Sequence, residues 1–492
     1  MIAALRAWWE GEDAAARGAL VLIVLAAAVA RAASLGQPMR YDESVTFLYF
    51  IGRPWGTAIS SYQFPNNHLL YTVAAKLTSL LGGGAAWALR LPAFVAGVAI
   101  VPLTYAVGRA LFTRASGLIG AALAAGSTPL ILYSANARGY AFVVAAYLGL
   151  LLIAARIRDA GATRRRWIAF ALVGGAGLAT IPVMLYPLGA VALWLALALV
   201  VERGAAAGPT LAGLAAALAG AGLVALVAYA PILGANGLAA LTANKFVAAS
   251  SWPHFYRELL PGIADALASW GQPFPLPVAV LLALAAAAGA AGSMRITREG
   301  VSVLLAAYVW SAALLIATHR APFPRTWLWL VPVAALLVGV AGDRVLRLPW
   351  LSRAASHVPA ISAAAALAAV AWGIETHAVA RSLDTGVFQG AHDVAQALAT
   401  RAQRGDRVLA WIPSNAPLQY YMLRAGADTS LLSTPDSATT REIIVLNENY
   451  GQSVPWAVAV GMVDTARFGP IAPAMHARDG DVYVAELKAG HP

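Results

Sequence analysis

Runs of about twenty apolar residues recur through the first three quarters of this 492-residue chain, and that recurrence leaves few folds open. A bilayer core is about 30 Å thick, and a helix needs about 20 apolar residues to cross it with every backbone group bonded internally. Eleven such spans can be drawn, at 18–35, 88–108, 115–132, 141–157, 167–181, 183–201, 210–231, 274–292, 300–318, 326–342 and 358–375. Only 12% of the residues are charged, against about 25% in soluble domains. The run Gly18–Leu35 is long and lacks a small-residue cleavage site, so it is expected to stay in place as a helix rather than leave as a signal peptide. The expected fold is therefore a polytopic α-helical membrane protein.

The arginines set the orientation. Arg6 and Arg17 precede the first span. Arg109/Arg114, Arg156/Arg158/Arg164/Arg165/Arg166, Arg203, Arg295/Arg298 and Arg344/Arg347/Arg353 follow between later ones. With eleven spans and a cytoplasmic N-terminus, all of these clusters face the cytoplasm, as the positive-inside rule requires. Counting Leu69–Leu81 as a span would break the pattern, so it is read as an outer juxtamembrane or re-entrant helix. The net charge of +11 then reflects inner-face arginine and attraction to anionic lipids, and no nucleic acid partner is expected. The absence of cysteine excludes thiolate nucleophiles, disulfides and Cys-ligated metals.

Beyond about residue 376 the character changes. Charges of both signs return, and apolar runs shorten to strand length at Arg407–Ile412, Glu442–Leu446 and Val482–Leu487. Ala391–Ala402 has helical spacing. Residues 376–492 are thus expected to form a small soluble α/β domain on the outer, periplasmic side, after a transmembrane domain over 1–375.

Acids are scarce before Glu375, and the topology leaves five of them outside: Asp42, Glu43, Glu258, Asp265 and Glu375. Asp42-Glu43 is the adjacent pair, placed just past the first span in an outer loop over 36–87. A carboxylate beside low-dielectric lipid suits a general base. The alternative is an N-cap, with Asp42 closing a helix that starts at Ser44.

The order of motifs carries a resemblance. A first helix is followed by R-Y-D-E (40–43), then N-N-H-L-L-Y (66–71). W-A-L-R-L-P-A (87–93) opens the next span, V-G-R-A-L-F (107–112) closes it, and L-Y-S-A-N-A-R-G-Y (132–140) follows the third. This resembles the bacterial branch of the protein O-mannosyltransferase superfamily, which also contains the lipid A aminoarabinose transferases. It is strong over 36–158 and thinner to 375. It implies the GT-C fold, with about eleven transmembrane helices, outer juxtamembrane helices and the small C-terminal domain. It further implies an inverting glycosyltransferase that moves a sugar from a polyprenyl-phosphate carrier to an acceptor hydroxyl at the outer face of the bacterial inner membrane. Asp42 matches the family's general base and Glu43 the second acid of that pair. One departure concerns His68. The family commonly has His-Pro-Pro-Leu where this chain has Asn67-His68-Leu69-Leu70, so no family role passes to His68.

A lipid-phosphate leaving group needs a cationic clamp. Arg138 in the Tyr133–Tyr140 turn matches the family's arginine there. Arg325, in H-R-A-P-F-P-R-T-W (319–327), is the second candidate, and Lys245 in an outer loop the third. Tyr41, Asn67, His68, Tyr133 and Tyr140 are candidates for lining the substrate. Arg40 is a candidate salt-bridge partner of the acids. Arg31, near the outer end of the first span, is expected to snorkel toward the interface. No P-loop, dinucleotide fingerprint or metalloprotease motif occurs, which fits a lipid-linked donor rather than a nucleotide sugar. No cofactor is required on this reading, although Asp42/Glu43 could hold a divalent cation. The acceptor stays open among glycolipid, polysaccharide and protein. A lipid transporter or flippase would call for mid-span ionisable residues and repeat symmetry, of which the sequence offers few and none. A non-catalytic assembly protein would leave Asp42 dispensable.

Overall fold

A computed structural model of the chain describes residues 10–242, 249–291, 293, 296–297, 300–434 and 436–489. Its contacts divide the chain into two units. The first is Met1–Leu35, Ile59–Gly83 and Trp87–Val379, and the second is Gly36–Ala58, Gly84–Ala86 and Ala380–Pro492. The sequence reading kept all of 36–87 with the spans and drew its line at 375. Here two pieces of that loop belong with the C-terminal segment.

The first unit is helical throughout its core. Its main helices are α1 (Ala14–Leu35), α2 (Leu69–Gly82), α3 (Ala86–Leu111), α4 (Arg114–Gly126), α5 (Thr128–Ser134), α6 (Tyr140–Ala160) and α7 (Arg164–Thr180). They continue with α8 (Leu185–Arg203), α9 (Gly208–Asn236), α10 (Trp252–Trp270), α11 (Leu276–Ala291), α12 (Val303–Thr318), α13 (Val331–Leu346) and α14 (Val358–Glu375). Each of the eleven expected spans overlaps these helices, with 115–132 divided between α4 and α5. By length and composition six helical stretches among the described residues can cross a membrane, and Pro182–Asn236, one of the six, runs through both α8 and α9. The pair α4–α5, bent by 62°, makes a seventh. The 16-residue helices α11 and α12 reach only about 24 Å at 1.5 Å per residue. The segment Leu69–Leu81 is indeed a short apolar helix, α2, of 14 residues.

The α4–α5 bend explains a residue that the sequence misplaced. Pro129 has no N–H to give back to Ala125, and Thr128 N–H donates to Gln272 O at 3.4 Å instead of to Ala124. Both freed carbonyls accept from Arg31, Ala125 O at 3.2 Å and Ala124 O at 3.4 Å. Arg31 Nε donates to Ser134 Oγ at 3.2 Å. Arg31 therefore does not snorkel. It is fully buried, because a broken helix supplies the acceptors that an interface would otherwise provide.

The second unit contains a four-stranded sheet. Helix α15 (Ala391–Arg401) leads to β1 (Asp406–Ala410), then α16 (Asn415–Ala425), β2 (Arg441–Asn447), α17 (Val454–Ala459), β3 (Ala472–Ala477) and β4 (Gly480–Glu486). The strand order is β1-β2-β4-β3, with β1 parallel to β2 and the other pairs antiparallel. β2 is buried on both faces, as its unbroken apolar run requires. Ile443 and Val445 join Val394 and Leu418 from the helices on one side, and Ile444 and Leu446 join Ala457 and Phe468 on the other. The expected strands and the helix at 391–402 are present. β3, with the sequence A-P-A-M-H-A, carries no alternation and was not expected.

Candidate active site

The candidate residues form two clusters, one in each unit. In the second unit, Arg40 precedes a short helix, α18 (Tyr41–Thr46), that continues as a π-helical turn over Phe47–Ile51. Tyr41 N–H donates to Gly386 O at 2.9 Å and Asp42 N–H to Thr385 O at 3.2 Å, so the C-terminal segment holds the start of this helix by its main chain. Gly386 makes that approach possible. It has φ +77°, and a Cβ there would meet Tyr41 Cβ and Pro413 Cβ at 2.6 and 2.7 Å. Arg40 guanidinium donates to Ser382 O at 2.7 Å and Asp384 O at 2.8 Å, which adds a side-chain brace to the same segment. Phe47 meets Tyr420 edge-on at 5.1 Å between centroids.

Both acids are buried, and they do different things. Glu43 Oε1 accepts from Arg40 N–H at 2.8 Å, the return half of a capping box. Asp42 is not the N-cap that the alternative reading required, because the helix begins at Tyr41, three residues before the predicted start, and Arg40 is the N-cap. Thr46 Oγ1 donates to the Asp42 main-chain oxygen at 2.9 Å. Burial, then the neighbouring Asp42, hold the Tyr41 phenol above its ordinary pKa. Successive side chains on a helix point about 100° apart. Asp42 and Glu43 therefore point to different sides of the helix, with Glu43 turned back to its start. Among the described residues no three His, Asp or Glu side chains gather as a metal site.

The second cluster lies in the first unit, where the start of α2 meets the turn between α5 and α6. A Cβ at Gly139 would clash with Thr180 and approach His68 Cβ at 3.3 Å, so only glycine lets the backbone come this close. Gly139 N–H donates to His68 Nδ1 at 2.9 Å. Arg138 Nη2 lies 3.1 Å from His68 Nε2. Burial chiefly, then Arg138 and Arg325, hold the His68 pKa well below the usual imidazole range, so the ring is neutral. With Nδ1 accepting from a peptide, the ring carries its proton on Nε2.

Aromatic rings complete this cluster. Tyr140 meets His68 edge-on at 5.3 Å and Tyr133 at 4.9 Å, and Arg138 stands 5.7 Å from the Tyr140 ring centre. Arg325 Nε donates to Tyr140 Oη at 3.1 Å. The Tyr62 phenol is pushed up to about 12, by burial chiefly, with Arg138 pulling the other way. Asn67 braces the loop, donating to Ser61 O and accepting from Thr72 Oγ1, both at 2.8 Å.

Five candidates are thus brought together in the first unit: His68, Tyr133, Arg138, Tyr140 and Arg325. Tyr41, Asp42 and Glu43 stand together in the second. Lys245 lies outside the described residues. Sequence reasoning missed Gly139, Thr385 and Gly386 as positioning residues; the glycine inside N-A-R-G-Y was the one available signal.

No protein-family model matches the chain, and no curated protein does. Solved structures do. ArnT from Cupriavidus metallidurans in the apo state aligns over 96% of this chain and 98% of its own, with TM-score 0.62 and 13% identity. The same protein bound to undecaprenyl phosphate gives TM-score 0.60, 14% identity and coverage of 95% and 98%. The archaeal oligosaccharyltransferase AglB from Archaeoglobus fulgidus, in complex with an inhibitory peptide and a dolichol-phosphate, gives TM-score 0.52 at 12% identity and covers 96% of this chain and 75% of its own. The fold is GT-C. Its GT-C architecture includes both the bundle of apolar helices and the small C-terminal sheet unit.

Proposed function

We propose that this chain is an integral-membrane glycosyltransferase that takes a sugar from a polyprenyl phosphate and passes it, with inversion, to an acceptor hydroxyl. The observation that carries the reading is the convergence of Arg138, Arg325 and the Nε2–H of a neutral His68 around Tyr140. Two guanidinium cations and a neutral imidazole gathered about one tyrosine suit an anionic ligand such as a phosphate. ArnT bound to undecaprenyl phosphate and AglB bound to dolichol-phosphate share the fold, and this supports a lipid phosphate as that anion.

Asp42 takes the acceptor proton as the hydroxyl oxygen attacks the anomeric carbon. The bond from that carbon to the phosphate oxygen breaks, and the electron pair leaves with the lipid phosphate. In the first unit, Arg138, Arg325 and His68 are the groups suited to hold the charge of a lipid phosphate. Asp42 returns its proton to water. Glu43, bonded to Arg40 N–H, fixes the first turn of the helix that presents Asp42. The arginine pattern supports a bacterial inner-membrane location with a cytoplasmic N-terminus and an outer, periplasmic C-terminal segment.

The test is turnover of a panel of polyprenyl-phosphate sugars by purified protein, wild type beside Asp42→Asn. Release of polyprenyl phosphate by wild type and none by an equally stable Asp42→Asn supports the reading and its base. Equal turnover by the two removes Asp42 from the mechanism.

A further inference from the structure

The carboxyl ends of the parallel strands β1 and β2 form one edge of the second unit, and that edge is apolar and aromatic. β1 runs into Trp411 and Ile412, which are 48% and 55% exposed. β2 runs into a turn that ends in Tyr450, 36% exposed. Trp456 closes edge-on over Trp411, with 5.9 Å between ring centres. Gln452 Nε2 donates to Ile412 O at 3.0 Å and Tyr450 Oη to Leu383 O at 3.0 Å, so these residues share one continuous edge. Leu383 is itself 45% exposed.

The chain segments that follow α1 and α14 both lead to this edge. Leu383 follows Glu375, the end of α14, by eight residues, and Tyr41 follows Leu35, the end of α1, by six. Tyr41 is bonded to Gly386, and Gly386 lies against Pro413, next to Ile412. An extended residue spans at most about 3.6 Å, so these segments of six and eight residues are short, roughly 20–30 Å when fully extended. Tryptophan and tyrosine, with an apolar ring and one polar atom, are the side chains that settle at the membrane–water boundary. Isolated apolar side chains on a surface call for no partner, whereas a contiguous aromatic edge does. Arg381, exposed at the entry, adds a cation suited to lipid phosphates.

We infer that the Trp411–Ile412–Tyr450 edge of the C-terminal unit rests in the headgroup layer of the outer leaflet, with the bilayer surface as its partner. Shallow insertion there anchors the unit that carries Asp42 at a fixed height above the lipid, where a membrane-bound donor is presented.

The chain contains no cysteine, so one introduced cysteine labels one place. Bimane is attached at Trp411→Cys, at Ile412→Cys as a second reporter should the first variant fold poorly, and at Arg404→Cys beyond the opposite edge. Each full-length protein is placed in nanodiscs of phosphatidylethanolamine and phosphatidylglycerol. Lipid with a nitroxide near the headgroup should remove most of the emission at 411 and 412, and iodide in the water should remove little. The label at 404 should behave in the opposite way. If 411 and 412 respond as 404 does, the edge stands in water and the inference fails. If both are shielded from lipid and from iodide, protein covers the edge, and the inference fails as well.

Discussion

Gly139 N–H donates to Nδ1 of His68 at 2.9 Å, and that bond fixes which nitrogen of the ring holds the proton. A peptide N–H cannot be withdrawn, so Nε2 must be the donor. The residue that the family comparison left without a role thereby becomes a neutral hydrogen-bond donor beside two arginines.

His68→Leu should reduce kcat/KM for the lipid-phosphate sugar by about 10- to 100-fold, the range for losing a hydrogen bond to a charged group. His68→Gln, whose amide can accept from Gly139 and still donate, should recover part of that loss. Steady-state kinetics on the two variants decide it.

The same ring makes stability sensitive to acid. Its folded pKa lies well below 6.5, so as pH falls below about 6.5 the unfolded chain binds a proton that the folded chain does not. Stability should therefore fall with pH from there down. Thermal unfolding between pH 8 and pH 5 should show a smaller acid-side drop in His68→Gln than in wild type.

Arg138 and Arg325 meet on Tyr140, so their contributions should not add. Arg138→Ala should cost about 10²- to 10³-fold in kcat/KM, the range for removing one donor to a developing oxyanion. The Arg138→Ala/Arg325→Ala double variant should lose less than the product of the single losses. Tyr140→Phe, which removes the acceptor of Arg325 Nε, should cost about 1 kcal/mol, roughly fivefold. Strict additivity would mean that the arginines act at separate places.

Asp42→Asn should lower kcat by about 10²- to 10⁴-fold without changing the unfolding temperature, because Asp42 is not the helix cap. Glu43→Gln should do the reverse in part. It weakens the bond to Arg40 N–H, lowers the unfolding temperature and costs less in turnover. Paired kinetic and thermal measurements separate the two acids.

Glu442 offers a test within the second unit. It is buried on β2, and burial chiefly, with Asp464 adding and Arg467 opposing, pushes its carboxyl up to about 7. The folded protein keeps that proton where the unfolded chain has lost it, so the stability tied to it is present below pH 4.5 and fades as pH rises through 7. Glu442→Gln should stabilise the protein at pH 8 more than at pH 5, as unfolding midpoints of the two proteins would show.

The helices and the acid pair were legible because each rests on a short-range signal. Apolar runs mark helices whatever surrounds them, and Asp42-Glu43 stands out where acids are few. What stayed hidden depends on distant backbone. Arg31 reads as an interfacial arginine until Pro129 and Gln272 are seen to free two carbonyls for it. The hold of Gly386 on Tyr41 passes through peptide groups, which carry no residue-specific signature. β3 went unseen because A-P-A-M-H-A is a largely exposed edge strand with no apolar face. The cluster around Tyr140 was half visible. Arg138 and Arg325 could be named separately, but their meeting on Tyr140 joins segments 185 residues apart.

The two main-chain bonds from Tyr41 and Asp42 to Gly386 and Thr385 also impose an order in time. The ribosome makes the acid-bearing helix early and its mainstays late. A chain still in synthesis carries Asp42 without the strand of backbone that fixes it, and so does any chain broken off before Thr385. That helix gains its support only when the final quarter of the polypeptide has emerged and folded, and a half-made protein holds Asp42 on an unmounted turn.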